Sequence, residues 1–166
     1  MSPQNLLILE NLDPFYGMRK HLIDGNDRIC GVPFGTLIYG GGKKVVSMLR
    51  DFAVSAEPYM TAASNRFYYV GDLDYEGLRI YESLAESLKD SIEISPFVNC
   101  YKQMLAKAEE RDELPPMKEK QSKALSGLFF SFFSEDDRRR ILSILENGAY
   151  IPQEILTTQD YSDHAV

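Results

Sequence analysis

The sequence has only two cysteines, Cys30 and Cys100, with no CxxC pair, and only two histidines. That scarcity excludes zinc ribbons, zinc fingers and disulfide-stapled scaffolds. Long apolar runs are also missing. The longest, Leu128-Phe129-Phe130-Ser131-Phe132-Phe133, is far short of the roughly 20 residues of a membrane span. The opening MSPQNLLILE has no basic start and only four consecutive apolar residues, which does not read as a signal peptide. Internal repeats and low-complexity linkers are absent. What is there is ordinary for a folded protein: 44% hydrophobic residues, 11% aromatic, in 166 residues. A chain of this length buries roughly 70% of its unfolded surface, enough for one self-sufficient core. The expectation is one cytoplasmic domain with no membrane contact.

Charge is sparse in one sign. Eighteen Lys+Arg face 25 Asp+Glu, a formal charge of −7, which argues mildly against a protein that coats nucleic acid. Residues 1–100 hold 9 basic and 13 acidic side chains, residues 101–145 hold 9 and 8, and the last 21 hold none and 4. Leu6-Leu7-Ile8-Leu9 suits a buried parallel strand. Asp13-Pro14 reads as a helix start running to about Ile23. Thr36–Tyr39 is a second strand, closed by Gly40-Gly41-Gly42, and helical spacing resumes from Lys43. Phe67–Val70 is a third strand, followed by a helix through Leu88, and Ser91–Val98 alternates like a fourth. The rest reads as helices near 100–111, 119–133 and 135–147, with a polar, frayed tail at 157–166. Alternating strands and helices predict an α/β fold with a parallel sheet. Ligands of such sheets sit beyond the carboxyl ends of the strands. Glu10, the triple glycine, and Asp72 with Asp74 all fall there.

Asp72 and Asp74, two residues apart, point to one face if extended. Like charges held close repel unless a cation lies between them. Carboxylates without neighbouring His or Cys favour Mg²⁺ or Mn²⁺ over zinc, and Glu10 could add a third. A plainer alternative stands beside this: Asp72 caps the next helix and Asp74 is a solvated turn residue. An EF-hand fails, because its twelfth position is Ser83 and a strand precedes the loop. An aspartyl phosphatase would carry its DxD on the first strand, followed by a small hydroxyl residue, and neither holds. Gly40, Gly41, Gly42, Lys43 and Lys44 could offer amides and charge to a phosphate, or could simply make a tight turn. A P-loop is excluded by Leu37 and Lys44. Lys118, Lys120 and Lys123 alternate with Glu119 and Gln121 and read as a solvated face. Arg138-Arg139-Arg140 follows Glu135-Asp136-Asp137, a self-paired helix start capped by Ser134. His21 reads as exposed, and neither cysteine has a partner that would activate a thiolate.

Together, Leu6-Leu7-Ile8-Leu9-Glu10-Asn11 and Gly71-Asp72-Leu73-Asp74-Tyr75-Glu76-Gly77 resemble a Toprim domain, the α/β module of topoisomerases, primases and several nucleases. The second string is similar to the DxDPxG-type segment of topoisomerase VI A-subunits and of the Wadjet anti-plasmid nuclease subunit, JetD, with Tyr75 where proline is common. The triple glycine before a helix, and Asn147–Glu154, look closest to the Wadjet-like C-terminal domain. The resemblance spans about residues 6–156. It implies a Rossmann-like Toprim core over 1–156, helices on both faces and a helical C-terminal extension. It further implies a Mg²⁺- or Mn²⁺-dependent endonuclease for double-stranded DNA, with Glu10, Asp72 and Asp74 as catalytic and metal residues. Gly40–Gly42, Lys43 and Lys44 would hold phosphate, and Glu76, Arg79 and Glu154 would be additional site residues. Condensin-like partners and a homodimer are implied as possible company. Relatives carry DNA-binding regions before this domain, while this sequence begins almost at its first strand. The expectation is therefore a part that borrows its DNA affinity. Two alternatives remain open: a non-catalytic Toprim-like module that binds DNA or a partner, and a topoisomerase VI-type strand-breaking subunit lacking its nucleophile region.

Overall fold

A computed structural model describes residues 3–118 and 120–162. Strands are β1 (Asn5–Leu9), β2 (Arg28–Ile29), β3 (Val32–Pro33), β4 (Thr36–Tyr39), β5 (Arg66–Val70) and β6 (Ile94–Pro96). Helices are α1 (Leu12–Ile23), α2 (Lys44–Arg50), α3 (Phe52–Ser55), α4 (Tyr75–Leu88), α5 (Val98–Glu109), α6 (Glu135–Glu146) and α7 (Thr158–Ser162). Single 3-10 turns occur at Pro58–Thr61, Phe129–Phe132 and Gln153–Ile155. The main sheet has the order β4-β1-β5-β6 and all its pairings are parallel. β2 and β3 form a separate antiparallel ribbon. This is the expected α/β fold.

Every side chain from Leu6 to Leu9 is fully buried. Successive residues of a strand face opposite sides, so both faces of the sheet are covered at β1. That explains a strand with no polar alternation. The chain leaves β1 to build β4 on one side, then crosses back to build β5 on the other. Such a reversal opens a crevice at the carboxyl ends of the two central strands, where ligands of open α/β sheets bind. Glu10 follows one of those strands and Asp72 the other. Among the described residues no helix is long and apolar enough to cross a membrane.

Several local expectations need correction. No α-helix forms among the described residues of 119–133. Gly127 has a positive φ of 90°, and the buried Glu82 carboxylate accepts hydrogen bonds from the amides of Ser126 (2.6 Å) and Phe129 (3.0 Å). The phenylalanines still pack inward, Phe129 against Tyr81 and Tyr101, so burial produced the periodicity without a helix. The first helix is entered from Asn11, with Pro14 inside the first turn. His21 is buried rather than exposed, with Nε2 2.9 Å from the Arg28 carbonyl and its ring edge-on to Tyr161. Ser134 caps α6 as expected, and Arg138 and Arg140 pair back to Glu135 and Asp137. Arg140 also reaches Glu109 on α5, a contact between helices that the local charge pattern does not contain.

The segment read as a frayed tail begins with a docked helix. Tyr161 is 4% exposed, its carbonyl accepts from the Cys30 amide at 2.8 Å, and Lys107 pairs with the buried Asp160 at 3.0 Å. Residues 163–166 of that expected tail lie outside the described residues. Truncating Tyr161 to Ala should therefore cost about 3 kcal/mol, the scale of an aromatic deleted from a core. Urea denaturation checks this; a frayed tail would leave the midpoint unmoved.

Candidate functional site

At the end of β1, Glu10 extends the ladder by donating its amide to the Val70 carbonyl at 3.0 Å. On the other side the triple glycine folds back on the same strand end. The Gly40 amide donates to the Leu9 carbonyl (2.7 Å) and the Gly42 amide to the Glu10 carbonyl (3.3 Å). The expectation that Gly40 and Gly42 offer amides to phosphate is therefore corrected: both are spent on the backbone around Glu10. Gly41 and Gly42 adopt φ of 67° and 68°, the left-handed region that glycine enters without penalty. The helix that follows, α2, has only seven residues. The triple glycine thus fixes Glu10.

Two further glycines make room for the carboxylates. A Cβ on Gly71 would stand 1.9 Å from Glu10 Oε2. A Cβ on Gly77 would meet the Asp72 carbonyl at 2.3 Å, and both Asp74 Oδ1 and Glu10 Oε2 at 3.2 Å. Oxygens of Glu10 and Asp74 therefore converge on the small gap above Gly77.

Each carboxylate has its own hydrogen-bonding shell. Glu10 Oε2 accepts from the Tyr69 hydroxyl (3.0 Å) and the Asp72 amide (3.2 Å). Asp72 Oδ1 accepts from Asn11 Nδ2 (2.9 Å) and the Gln153 amide (2.7 Å). The capping role falls on Asp74, not Asp72: Asp74 is extended (φ −136°, ψ 169°) and accepts from the Gly77 amide at 2.6 Å through Oδ1. Its Oδ2 accepts from Gln121 Nε2 at 2.9 Å, while Gln121 Oε1 accepts from the Glu76 amide at 3.2 Å. Neither aspartate is a solvated turn residue; Asp72 is 8% and Asp74 4% exposed.

Burial without a salt-bridged countercharge sets the electrostatics. Glu10 is pushed up to about 8, first by desolvation and then by repulsion from Asp72 and Asp74; the Tyr69 hydroxyl and the Asp72 amide pull the other way. Asp72 rises to about 6, again mainly by desolvation, with Glu154 and Asp74 adding to it and the Gln153 amide and Lys118 opposing. Burial also raises the phenols of Tyr69 and Tyr101, which keeps both protonated. The Tyr101 hydroxyl oxygen accepts from the Gly71 amide at 3.0 Å.

The donor set fits a hard divalent cation, because it consists of uncompensated carboxylates whose mutual repulsion a cation would relieve. Among the described residues, however, no three His, Cys, Asp or Glu side chains are gathered closely enough to form a ready metal cage. Both oxygens of Asp74 already accept hydrogen bonds within the chain, from the Gly77 amide and Gln121.

Around this centre, Glu76 pairs with Lys43 at 3.1 Å, and both line a groove with Arg79, Lys118, Lys120 and Gln121. Lys118 and Lys120 therefore sit beside the site, where the sequence suggested only a solvated face. Lys44 is exposed and does not line that groove. Glu154 is exposed and acts on Asp72 through its charge. Sequence reasoning missed Asn11, Tyr69, Gln121 and the Gln153 amide. Asn11 had one available signal, adjacency to Glu10; the others depend on tertiary contacts. The side-chain amide of Gln153 is buried beside them, with neither Nε2 nor Oε1 hydrogen-bonded among the described residues.

Compared with known families, residues 1–156 match the one described as Wadjet protein JetD, C-terminal. No curated protein matches the chain.

Two outcomes follow from this geometry. Because Glu10 and Asp72 titrate higher when folded, the folded state holds extra protons between about pH 4 and 8. The contribution of these two groups to stability in cation-free buffer should be fully present below about pH 4 and should fall by about 2 kcal/mol or more as pH rises to 8, while the lowered Asp160 works in the opposite direction at acid pH. Glu10→Gln should flatten most of the loss between pH 6 and 8 in urea titrations. Gly77→Ala, which at an ordinary helical position would gain about 1 kcal/mol, should instead lose about 1–3 kcal/mol, since the new methyl meets a backbone carbonyl. A gain in the denaturation midpoint would contradict the packing described.

Proposed function

The chain belongs to the Wadjet JetD C-terminal family, and on that premise we propose that it is a Mg²⁺- or Mn²⁺-dependent endonuclease domain that hydrolyses phosphodiester bonds of double-stranded DNA. One observation carries the reading: three carboxylates at the ends of the two central strands are near enough at the sheet's crevice for Asp72 and Asp74 to raise the Glu10 carboxyl, with no lysine or arginine salt-bridged to them among the described residues. The Toprim likeness of the same strand ends supports it further. Condensin-like partners would deliver the DNA.

Asp72 and Asp74 would hold the cation. When bound, it supplies positive charge to the phosphate in the transition state and favours the ionised carboxylates. Asp72 is oriented by Asn11 and the Gln153 amide through one oxygen, Oδ1, which leaves Oδ2 for a ligand. Asp74 is oriented through Oδ1 by the start of α4. Tyr69 and the Asp72 amide fix Glu10 through Oε2, so Oε1 is the oxygen that can receive a proton. In the reaction, a water oxygen attacks phosphorus, its proton passes to Glu10, and the P–O bond to the departing strand end breaks. Solvent then protonates the departing oxygen.

A second reading has one observation in its favour. Gln121 occupies Asp74 and no ready cage exists among the described residues, as suits a module that binds DNA or a partner without cutting. Plasmid nicking separates the two. With Mg²⁺ or Mn²⁺, the purified chain should relax and linearise supercoiled DNA. Glu10→Gln and Asp72→Asn, checked for folding by circular dichroism, should slow this by about 100-fold or more. Undiminished nicking by both variants, or no nicking by the parent chain with either cation, removes the nuclease reading.

A further inference from the structure

The groove beside the carboxylates has a volume of about 810 Å³ and is bounded by α2, α4, Lys118 and the residues Lys120, Gln121 and Ser122. Five cationic side chains line it: Lys43, Arg50, Arg79, Lys118 and Lys120. Among the described residues its one lining carboxylate, Glu76, is already matched by Lys43. Arg50, Arg79, Lys118 and Lys120 are exposed, and none has a salt bridge among the described residues. In a chain of net charge −7, so many unmatched cations in one concavity oppose the overall field. Like charges gathered without partners destabilise a fold unless an anion answers them. Serines supply the neutral part of the wall: Ser83 and Ser87 on α4, and Ser122.

The arrangement is extended rather than focal. Lys43 and Arg50 bracket α2, separated by about 10 Å of helical rise, while Arg79 and the two lysines stand on other elements. A single phosphate cannot reach them all, but the backbone of a nucleic-acid duplex can. The groove also ends at the carboxylates, because Gln121 lines it and donates to Asp74 Oδ2.

We infer that this groove, and not the glycine loop, seats the phosphodiester backbone of duplex DNA and leads one strand to Glu10, Asp72 and Asp74. The assignment deepens the nuclease reading and rests on it for the identity of the polyanion. Contacts of this kind go to phosphates, so the groove holds DNA without reading sequence.

The test is fluorescence anisotropy with a labelled DNA duplex and the whole chain, in EDTA so that cleavage plays no part. Lys118→Ala combined with Lys120→Ala should weaken binding about tenfold or more and reduce the salt dependence by about 0.9 in log–log slope per lost phosphate contact. Arg79→Ala should weaken it in the same direction. Lys20→Ala combined with Lys89→Ala, on surfaces outside the groove, should bind as the parent chain does. All these side chains are exposed, and matching melting temperatures establish that the variants fold. Equal affinity in the groove variant and the parent chain, equal loss in the control variant, or no binding by the parent chain overturns the assignment. So does efficient displacement of the duplex by inorganic triphosphate, which would mark a small phosphate site. The two readings fail separately: binding that depends on the groove without any plasmid nicking sinks the nuclease alone, and nicking with groove-independent binding sinks the groove alone.

Discussion

Desolvation of Glu10 at the end of the central strand is the constraint around which the rest of the site is built. A carboxylate buried beside two others costs free energy in its charged form, and the fold offsets this with neutral donors. Tyr69 and the Asp72 amide serve Glu10, Asn11 and the Gln153 amide serve Asp72, and the Gly77 amide and Gln121 serve Asp74. Glycine is required at 71 and 77 because any side chain there would enter the carboxylates' space. The site is held together by hydrogen bonds while its charge is left unanswered, the state in which a cation gains most by arriving.

Opposite charges are kept apart over a short span. Arg79, Lys118 and Lys120 line the neighbouring groove, yet none forms a salt bridge to Glu10, Asp72 or Asp74 among the described residues. Had they done so, the centre would have been neutralised internally, and any cation or anion arriving there would have had to displace a salt bridge. Gln121 stands at the junction. It has no charge, it satisfies both Asp74 and the Glu76 amide, and its release costs two hydrogen bonds, one of them to a carboxylate, about 1–3 kcal/mol each.

Much of this was readable from the residues. The four strands and their parallel pairing were signalled by apolar runs alternating with helical spacing, and Glu10, Asp72 and Asp74 were signalled by falling just after strands. What could not be read depends on contacts between distant segments. The lysines at 118 and 120 alternate with polar neighbours in a way that only describes exposure, and says nothing of which concavity they border. The phenylalanines near 130 repeat at helical spacing because they face one core, yet Gly127 and the Glu82 carboxylate impose a loop. The triple glycine looked like a phosphate cradle because its amides were assumed free, and the tertiary fold uses two of them. His21 and Tyr161, polar-tipped residues in charged surroundings, are buried because each covers the other.

The antiparallel bridge between Leu73 and Ile151 joins the second acidic strand end to a stretch about eighty residues later, and it is this bridge that brings the Gln153 amide to Asp72. Contacts of such separation close late, since the loop between them must be ordered first. During synthesis, which proceeds from the N-terminus, the sheet and its three carboxylates can form while Asp72 still lacks one of its two partners. The centre is therefore assembled by the chain's final third. A partly made polypeptide holds all three acidic residues without the hydrogen-bonded arrangement they have in the finished fold, and the order of synthesis itself delays that arrangement until Gln153 has been added.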